Sequence, residues 1–409
     1  MAVERYIAGL DVGTTKICVL VARLTGGQLD VISLSEAPSA GVRKGVVVDM
    51  EAASASIKNC INKAKDASDV EVKEVYVSIG GGHISCFASS GAVGIADGVV
   101  KQKDVSKVLE TAQTVYVSLD KELLHIIPVE YVVDGEGEIL NPLGMRGVRL
   151  EANVQIVTGS VNAVQNLVKC CQMAGVNAVD VVLDPLVSSL SCVRSDERDY
   201  GIILLDIGGG ITKISLFKNN TFLGASILEI GGNLITNDLA VGLRIPVFEA
   251  ERLKKAYGLM TLSDADANEE ITVLSANKEE RKILKSYILE IIKPRCEEML
   301  SMIQREIKKL SGYELASCGI VLTGGISELI SMDKMVETAL GLPVRIGIPE
   351  GEGLIDKVRS PLYSTVVGLN LYAQKELNDS AYSEILTSDL GSMKSWFKNL
   401  FGKFLRVFV

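Results

Sequence analysis

Two stretches of the chain share one pattern of hydrophobic and polar residues. Each begins with an apolar run rich in β-branched side chains, passes one aspartate and a glycine turn with threonine and lysine, and ends in a second apolar run; these are residues 7–22 and 202–217. The pattern predicts a hairpin of two buried strands in each stretch. Asp11 and Asp206 take equivalent places. A repeat on this scale predicts two similar α/β domains with a cleft between them.

The turns of both stretches carry groups that suit the phosphates of a nucleotide. Glycine tolerates positive φ and lets backbone N–H groups approach an anion, and hydroxyl side chains add donors. The glycines are Gly13, Gly208, Gly209 and Gly210, and the hydroxyl residues are Thr14, Thr15 and Thr212. The carboxylates of Asp11 and Asp206, set back from the phosphates, would hold Mg²⁺ through water. One such turn alone is equally typical of an ordinary connection between core strands, but two copies favour a phosphate site.

A third glycine turn follows a buried strand late in the chain. Residues 320–323 predict the strand, and Gly324 and Gly325 lead into a predicted helix with Ile326 and Ser327. Close approach of the backbone to a flat, uncharged group such as adenosine is the functional interpretation. A plain turn from strand to helix is the alternative.

Periodicity elsewhere predicts how the chain continues between these sites. The predicted helices are 50–67, 104–117, 162–174, 186–193 and 278–309, the last kinked or divided at Pro294. Strands 31–37, 45–48 and 72–79 are predicted to continue the first sheet. Residues 83–160 read as a small inserted α+β subdomain, which serves either specific contacts or packing alone. Glu251 and Lys254 are i,i+3 neighbours on a further helix, a spacing that more often gives a solvated salt bridge.

Composition and charge narrow the functional classes. The net charge is −9 and the pI about 5.1, which argues against nucleic acid as a partner of the body of the chain. The 8 cysteines lack CxxC spacing, which predicts reduced thiols in a cytoplasmic protein, and the 2 histidines make a histidine metal site improbable. The first residues lack the pattern of a signal peptide, and we expect no membrane-spanning segment.

The last 18 residues of the sequence, 392–409, are richer in aromatic and basic side chains than the rest, and a polar segment precedes them. Residues 378–391 read as a polar, acidic tether, and apolar side chains then recur at steps of three and four with cations between them. The apolar residues are Met393, Trp396, Phe397, Leu400, Phe401, Phe404, Leu405 and Phe408, and the cations are Lys394, Lys398, Lys403 and Arg406. This pattern predicts an amphipathic helix that lies in the surface of an anionic membrane. A groove on a partner protein and packing in the core are the alternatives.

Three glycine sites in this order, on a duplicated α/β plan, resemble the ATPase core shared by actin, Hsp70 chaperones and sugar kinases. Finer features resemble the FtsA family of bacterial cell-division proteins over nearly the whole chain. The family-specific signals are the tethered tail and the insertion motifs Asn-Pro-Leu-Gly-Met-Arg-Gly at 141–147 and Arg-Leu-Glu at 149–151.

The resemblance implies roles for the sites already described. Residues 11–16, which include Lys16, would form the first phosphate loop, 206–212 the second, and 324–327 the adenosine loop. Glu251 and Lys254 would touch ribose and base. Related ATPases often use a glutamate before a proline to position the attacking water, whereas this chain has Asp184 before Pro185. Because in-line attack is sensitive to small displacements, we expect ATP binding with slow hydrolysis.

The resemblance also implies partners and location. A protein of this kind forms actin-like protofilaments, binds the C-terminal peptide of FtsZ, contacts later division proteins and ties FtsZ to anionic lipids on the cytoplasmic face of the inner membrane. Two alternatives share the core: an actin-like scaffold of type IV pilus assembly and a sugar or small-acid kinase.

The expected domains follow the same plan. They are subdomain 1A (1–82, 163–198 and 363–377), inserted subdomain 1C (83–162), subdomain 2A (199–235 and 300–362), subdomain 2B (236–299), a flexible linker (378–391) and a membrane-targeting helix (392–409).

Overall fold

The computed structural model describes residues 5–114, 118–259, 268–275, 277 and 279–386, with the backbone alone for 379–386. The strands are β1 (Arg5–Val12), β2 (Lys16–Thr25), β3 (Gln28–Pro38), β4 (Val42–Arg43), β5 (Val46–Val47), β6 (Glu74–Ile79), β7 (Ser85–Gly94), β8 (Lys121–Val133), β9 (Glu136–Ile139), β10 (Arg149–Ser160), β11 (Asn177–Leu183), β12 (Ile202–Ile207), β13 (Thr212–Lys218), β14 (Thr221–Leu228), β15 (Glu270–Leu274), β16 (Glu280–Leu284), β17 (Ile320–Thr323) and β18 (Val344–Ile346).

The α-helices are α1 (Met50–Ser68), α2 (Gln102–Gln113), α3 (Val161–Met173), α4 (Asp184–Cys192), α5 (Ser195–Tyr200), α6 (Gly232–Leu243), α7 (Val247–Tyr257), α8 (Lys285–Lys309), α9 (Gly312–Leu315), α10 (Met332–Leu340) and α11 (Ser364–Leu386). Short 3₁₀ helices cover Gly325–Glu328, Asp356–Val358 and Pro361–Tyr363.

Two sheets have the same topology. The first has the order β3-β2-β1-β6-β11 and the second the order β14-β13-β12-β17-β18. In each, an antiparallel hairpin is followed by a third antiparallel strand, and two later strands add in parallel on the other side. The predicted duplication of an α/β unit is therefore present, and we call the sheets with their helices the first and second lobes.

The helices cover the sheets according to the alternation of apolar residues. On β2, Val19 and Val21 face the cluster that contains α1 and α3, whereas Cys18 and Leu20 face the cluster that contains α11. Burial of both faces gives strands that read as continuous apolar runs. A third cluster joins α4 and α11 of the first lobe to the second sheet, so these two helices lie between the lobes.

The segment between β6 and α3 forms a separate small sheet with the order β7-β10-β8-β9. Helix α2 packs on it through Val105, Val108 and Leu109. Gly91 is required at this contact, because a Cβ there would lie 2.5 Å from the Val108 carbonyl oxygen. The α+β character expected for the insertion is confirmed.

Three expectations about secondary structure were wrong. Residues 46–47 pair with β4 in a separate ribbon rather than continuing the first sheet, because turns with positive φ at Gly41 and Gly45 redirect the chain. Residues 280–284 form β16, since β15 supplies a partner strand, and α8 then runs unbroken past Pro294. The expected tether begins as helix, because α11 continues to Leu386.

Candidate functional site

A cavity of about 450 Å³ lies between the lobes, where the turns of the two hairpins face each other. Nearly all residues predicted to bind nucleotide line it, and they come from four separate parts of the chain. Those lining residues are Asp11, Gly13, Thr14, Thr15, Lys16, Asp206, Gly208, Gly209, Gly210, Glu251, Lys254, Gly324, Gly325 and Ile326, together with Asp184.

The two hairpin turns are built alike. The Gly13 N–H donates to the Lys16 carbonyl and the Gly208 N–H to the Ile211 carbonyl, each at 3.0 Å. Asp11 and Asp206 are the last residues but one in the first strand of each hairpin, opposite Cys18 and Lys213 in the ladders. The duplication therefore extends to the hydrogen bonds of the turns.

The glycines of these turns serve close approach rather than unusual dihedral angles. None of Gly13, Gly208, Gly209 and Gly210 has a positive φ, which corrects that part of the expectation. A Cβ on Gly209 would lie 2.3 Å from Thr15 Cγ2, and one on Gly210 would lie 2.7 Å from the hydroxyl of Thr14. The two turns thus touch each other across the mouth of the cavity, and a larger residue would force them apart.

Two predicted residues stand apart from the cavity lining. The Thr212 hydroxyl is buried and donates to the Ile230 carbonyl at 2.9 Å, so its proton is already used. The Ser327 hydroxyl donates to the Gly324 carbonyl at 2.6 Å and closes the 3₁₀ turn there. Both side chains shape the loops on which they lie.

Three carboxylates and one ammonium group meet at the floor of the cavity. Lys213 Nζ lies 2.7 Å from Asp184 Oδ2 and 2.9 Å from Asp206 Oδ2, and all three side chains are buried. Burial alone lowers the pKa of Lys213, but the charges of Asp184 and Asp206 outweigh it and hold the pKa above its usual value. The ammonium therefore stays charged.

Asp11 is the third carboxylate of this cluster. Its Oδ1 accepts from the Ser78 hydroxyl at 3.1 Å. Burial, followed by the negative charge of Asp184, raises the pKa of Asp11 to about 6. The carboxylate of Asp11 therefore takes up a proton at a higher pH than an ordinary aspartate.

Asp184 begins α4, with Pro185 in the first turn as the sequence predicts. One of its oxygens binds Lys213, and its Oδ1 is buried with no hydrogen-bond partner among the described residues. Gly80 makes room for it, because a Cβ there would lie 2.5 Å from Asp184 Oδ2. Asp184, one of the carboxylates at the floor of the cavity, therefore keeps one acceptor that no described residue uses.

Glu251 and Lys254 of α7 also line the cavity. Lys254 Nζ lies 2.6 Å from Glu251 Oε2 and donates to the Thr236 hydroxyl at 2.9 Å. Lys254 is only 5% exposed, so a solvated salt bridge does not describe the pair. Burial is also the main reason that the pKa of Lys254 is lowered.

Gly324 lies against the carboxylate floor of the cavity. It has φ +83° and ψ 174°, a conformation open essentially to glycine. A Cβ on it would lie 2.2 Å from Asp206 Oδ1. The third glycine turn is thus packed directly against the aspartate of the second hairpin.

Sequence reasoning missed Lys213, which lies within the second motif but was not assigned a role. The register could have singled it out, because it is the direct cross-strand partner of Asp206. Gly80 and Asn233 also line the cavity without having been predicted. The twelve residues of the predicted membrane helix, from Met393 to Phe408, lie outside the described residues. Among the helices that the structure describes, none is long and apolar enough to cross a bilayer.

The chain resembles known proteins in both sequence and fold. Residues 203–368 match the family model for cell division protein FtsA, and residues 81–158 match that for the SHS2 domain inserted in FtsA. The chain is 38% identical to cell division protein FtsA of Pseudomonas aeruginosa over 95% of its own length and 94% of that protein. It is 32% identical to cell division protein FtsA of Escherichia coli K12, over 97% of each chain.

Solved structures extend the comparison to the fold. The PilM-PilN type IV pilus biogenesis complex matches with a TM-score of 0.66 and 17% identity, over 89% of this chain and 97% of that one. MreB5 of Spiroplasma citri bound to AMPPNP matches with a TM-score of 0.57 and 15% identity, over 93% and 99%. At these identities the likeness concerns the fold alone, and it confirms the predicted actin-like architecture.

Proposed function

The chain belongs to the FtsA family of cell-division proteins, and from this premise we propose that it binds ATP between its lobes and anchors FtsZ filaments to the membrane at the division site. The observation that carries the proposal is the pair of like-built hairpin turns, with Asp11 and Asp206, facing one cavity. Phosphates would lie against the N–H groups of these turns, and adenosine would lie between Lys254 and the turn at Gly324 and Gly325.

MreB5, whose fold is similar, is described as bound to AMPPNP, which supports a nucleotide in this cleft. Any Mg²⁺ in the cavity would be held mainly by the phosphates, because Lys213 already takes one oxygen of Asp184 and one of Asp206. The oxygen of Asp184 that has no partner among the described residues would accept a hydrogen bond from a water near the phosphates. Hydrolysis at this site would be slow, because a short aspartate tied to a lysine reaches the water less well than a glutamate.

FtsZ would bind the segment 236–299 through its C-terminal peptide. Apolar side chains are exposed there, including Val241 at 78% and Phe248 at 66%. Such side chains, grouped around the α6–α7 connection, offer the apolar contact that peptide binding needs. Self-assembly into actin-like filaments and contact with later division proteins through the insertion complete the proposed partners.

The membrane contact is tested by adding the same charge to two faces of the tail. Phe401→Asp places a carboxylate on the predicted apolar stripe, and Asn399→Asp places it outside the stripe. We expect Phe401→Asp and a chain that stops before Ser392 to lose co-sedimentation with anionic liposomes, while Asn399→Asp keeps most of it. The proposed membrane helix would be refuted if the two aspartate variants bound liposomes equally well, or if the shortened chain bound them as well as the full-length protein.

The same liposome co-sedimentation assay measures whether the protein recruits FtsZ to the membrane. Full-length protein should bring a labelled FtsZ C-terminal peptide down with the liposomes, and Phe248→Ala should release it. Tyr200→Ala is the matched control, because Tyr200 is an aromatic residue of similar exposure, 67%, on α5. Recruitment that is unchanged by Phe248→Ala would remove this surface from the proposal.

A further inference from the structure

The floor of the cavity holds a cation that belongs to the chain itself. Lys213 lies on β13 of the second lobe, and its ammonium contacts Asp206 of the same lobe at 2.9 Å and Asp184 of the first lobe at 2.7 Å. The ion pair with Asp184 therefore bridges the two lobes. In the first hairpin the equivalent ladder position is Cys18, so this cation is present in one copy only.

A bridging Mg²⁺ fits this floor poorly. Mg²⁺ requires near-octahedral coordination and keeps several waters, which demands space around each carboxylate oxygen. One oxygen of Asp184 and one oxygen of Asp206 are already in contact with Lys213 Nζ. Within the described residues, no group of three histidine, cysteine, aspartate or glutamate side chains is placed to hold a metal ion.

A lysine in this position neutralises the negative charges of Asp184 and Asp206, as a bound cation would. Side chains of Lys213 and Asp184 are 10% and 8% exposed, so their attraction is little screened by solvent. Removal of one partner from a buried ion pair leaves an uncompensated charge, which a mobile cation would then be drawn to neutralise. A variant without the ammonium should therefore acquire a need for a divalent ion that the natural chain lacks.

We propose that Lys213 replaces the divalent ion that would otherwise bridge the lobes, so that neither closure of the empty cleft nor nucleotide binding depends strongly on Mg²⁺. The part that concerns nucleotide rests on the proposed function, whereas the part that concerns the empty cleft does not. A Mg²⁺ carried on the phosphates of the nucleotide is compatible with the proposal, since only the bridging position is taken.

The test compares wild-type protein with Lys213→Gln in Mg²⁺ and in a chelator. For wild type, the affinity for a fluorescent ATP analogue should be less than about fivefold lower in chelator than in Mg²⁺. For Lys213→Gln, this ratio of the affinity in Mg²⁺ to the affinity in chelator should be about tenfold larger than for wild type. Lys44→Gln is the matched control, because Lys44 also forms an ion pair between the lobes, with Glu229 at 3.0 Å, but is exposed and outside the cluster. It should behave as wild type.

A second measurement needs no nucleotide. Mg²⁺ should raise the unfolding temperature of Lys213→Gln by about 2 °C or more and leave that of wild type unchanged, since only the variant gains a bound ion. If Lys213→Gln folds only with Mg²⁺, the proposal is supported. If it never folds, the wild-type affinity ratio decides alone, and a loss above about fivefold in chelator overturns the proposal.

The two proposals fail in different ways. Equal Mg²⁺ dependence of wild type and Lys213→Gln in both measurements would overturn the role of Lys213 and leave nucleotide binding standing. Absence of nucleotide binding in every sample would overturn the proposed function, and the unfolding temperatures would still decide whether Lys213 serves in place of a metal.

Discussion

Replacement of Gly324 by alanine tests whether the third glycine turn shapes the nucleotide cavity. The conformation of Gly324, φ +83° and ψ 174°, costs an alanine about 1 to 3 kcal/mol. The new Cβ would lie 2.2 Å from Asp206 Oδ1 and 2.7 Å from the Ile207 carbonyl oxygen, both at the end of a buried strand. Overpacking of this kind costs a further 1 to 3 kcal/mol, roughly, so we expect a loss of about 2 to 6 kcal/mol.

Gly341→Ala separates backbone strain from the clash. Gly341 also has a positive φ, +69°, but nothing lies within 4 Å of its Cβ position. Its replacement should cost only about 1 kcal/mol, the penalty of the left-handed conformation. It lies at the end of α10, and the cavity lining does not include it.

Urea unfolding followed by circular dichroism and titration with a fluorescent ATP analogue measure the two effects. Gly324→Ala should show the lower unfolding midpoint and about tenfold weaker binding or more, because a displaced Asp206 disturbs the carboxylate floor. Gly341→Ala should bind as wild type. Similar midpoints and similar affinities for the two variants would refute the packing argument.

Three further predictions concern other groups. Wild-type protein should turn over bound ATP in single-turnover assays more slowly than about 1 s⁻¹, and Asp184→Asn, measured with protein in saturating excess, should slow this step a further tenfold or so; an unchanged rate would exclude water positioning by Asp184. Burial lowers the pKa of His125 from 6.5 to about 3, so the unfolded chain takes up a proton that the native state rejects. The contribution of neutral His125 to the free energy of unfolding is therefore present above pH 6.5 and is lost as the pH falls, by roughly 2 kcal/mol at pH 5. His125→Gln should reduce the difference between the free energies of unfolding in urea at pH 7 and at pH 5. Glu197→Gln should lower the free energy of unfolding by about 3 kcal/mol, because Glu197 is buried and binds Arg345 through both oxygens. Asp196→Asn, at an exposed carboxylate, should lower it by less than about 0.5 kcal/mol, and equal unfolding midpoints for the two variants would contradict the expectation.

The sequence predicted best what depends on local pattern. Both hairpins were found because a buried strand, a small turn and a second buried strand leave a strong signal in apolar spacing, and the structure pairs Asp11 with Cys18 and Asp206 with Lys213 accordingly. The β16 segment was mistaken for helix, because charged residues such as Glu280 and Arg281 suit an exposed helix as well as the edge of a two-stranded ribbon. Only its pairing with β15, a tertiary contact, decides between the two.

The site was predictable in its members but not in its electrostatics. Lysine and aspartate seven positions apart form an ion pair only if the hairpin register sets them opposite each other, and Asp184 comes from a distant helix. The contact of Lys213 with both carboxylates follows from the register of β12 with β13 and from the position of α4. Burial of Lys254 likewise depends on α6, which places the Thr236 hydroxyl against its ammonium.

Helix α11 has a consequence for how the protein is made. The first lobe remains incomplete without it, since Leu20 packs against Val366 and Val367, and a Cβ on Gly368 would lie 1.8 Å from the Val187 carbonyl oxygen. A ribosome adds about 5 to 20 residues per second, so the nascent first lobe waits roughly 10 to 40 s between the emergence of β11 and that of α11. Although the lobes share one topology, cutting the chain between them would leave the earlier piece with bare apolar surface, and it should need chaperones or aggregate.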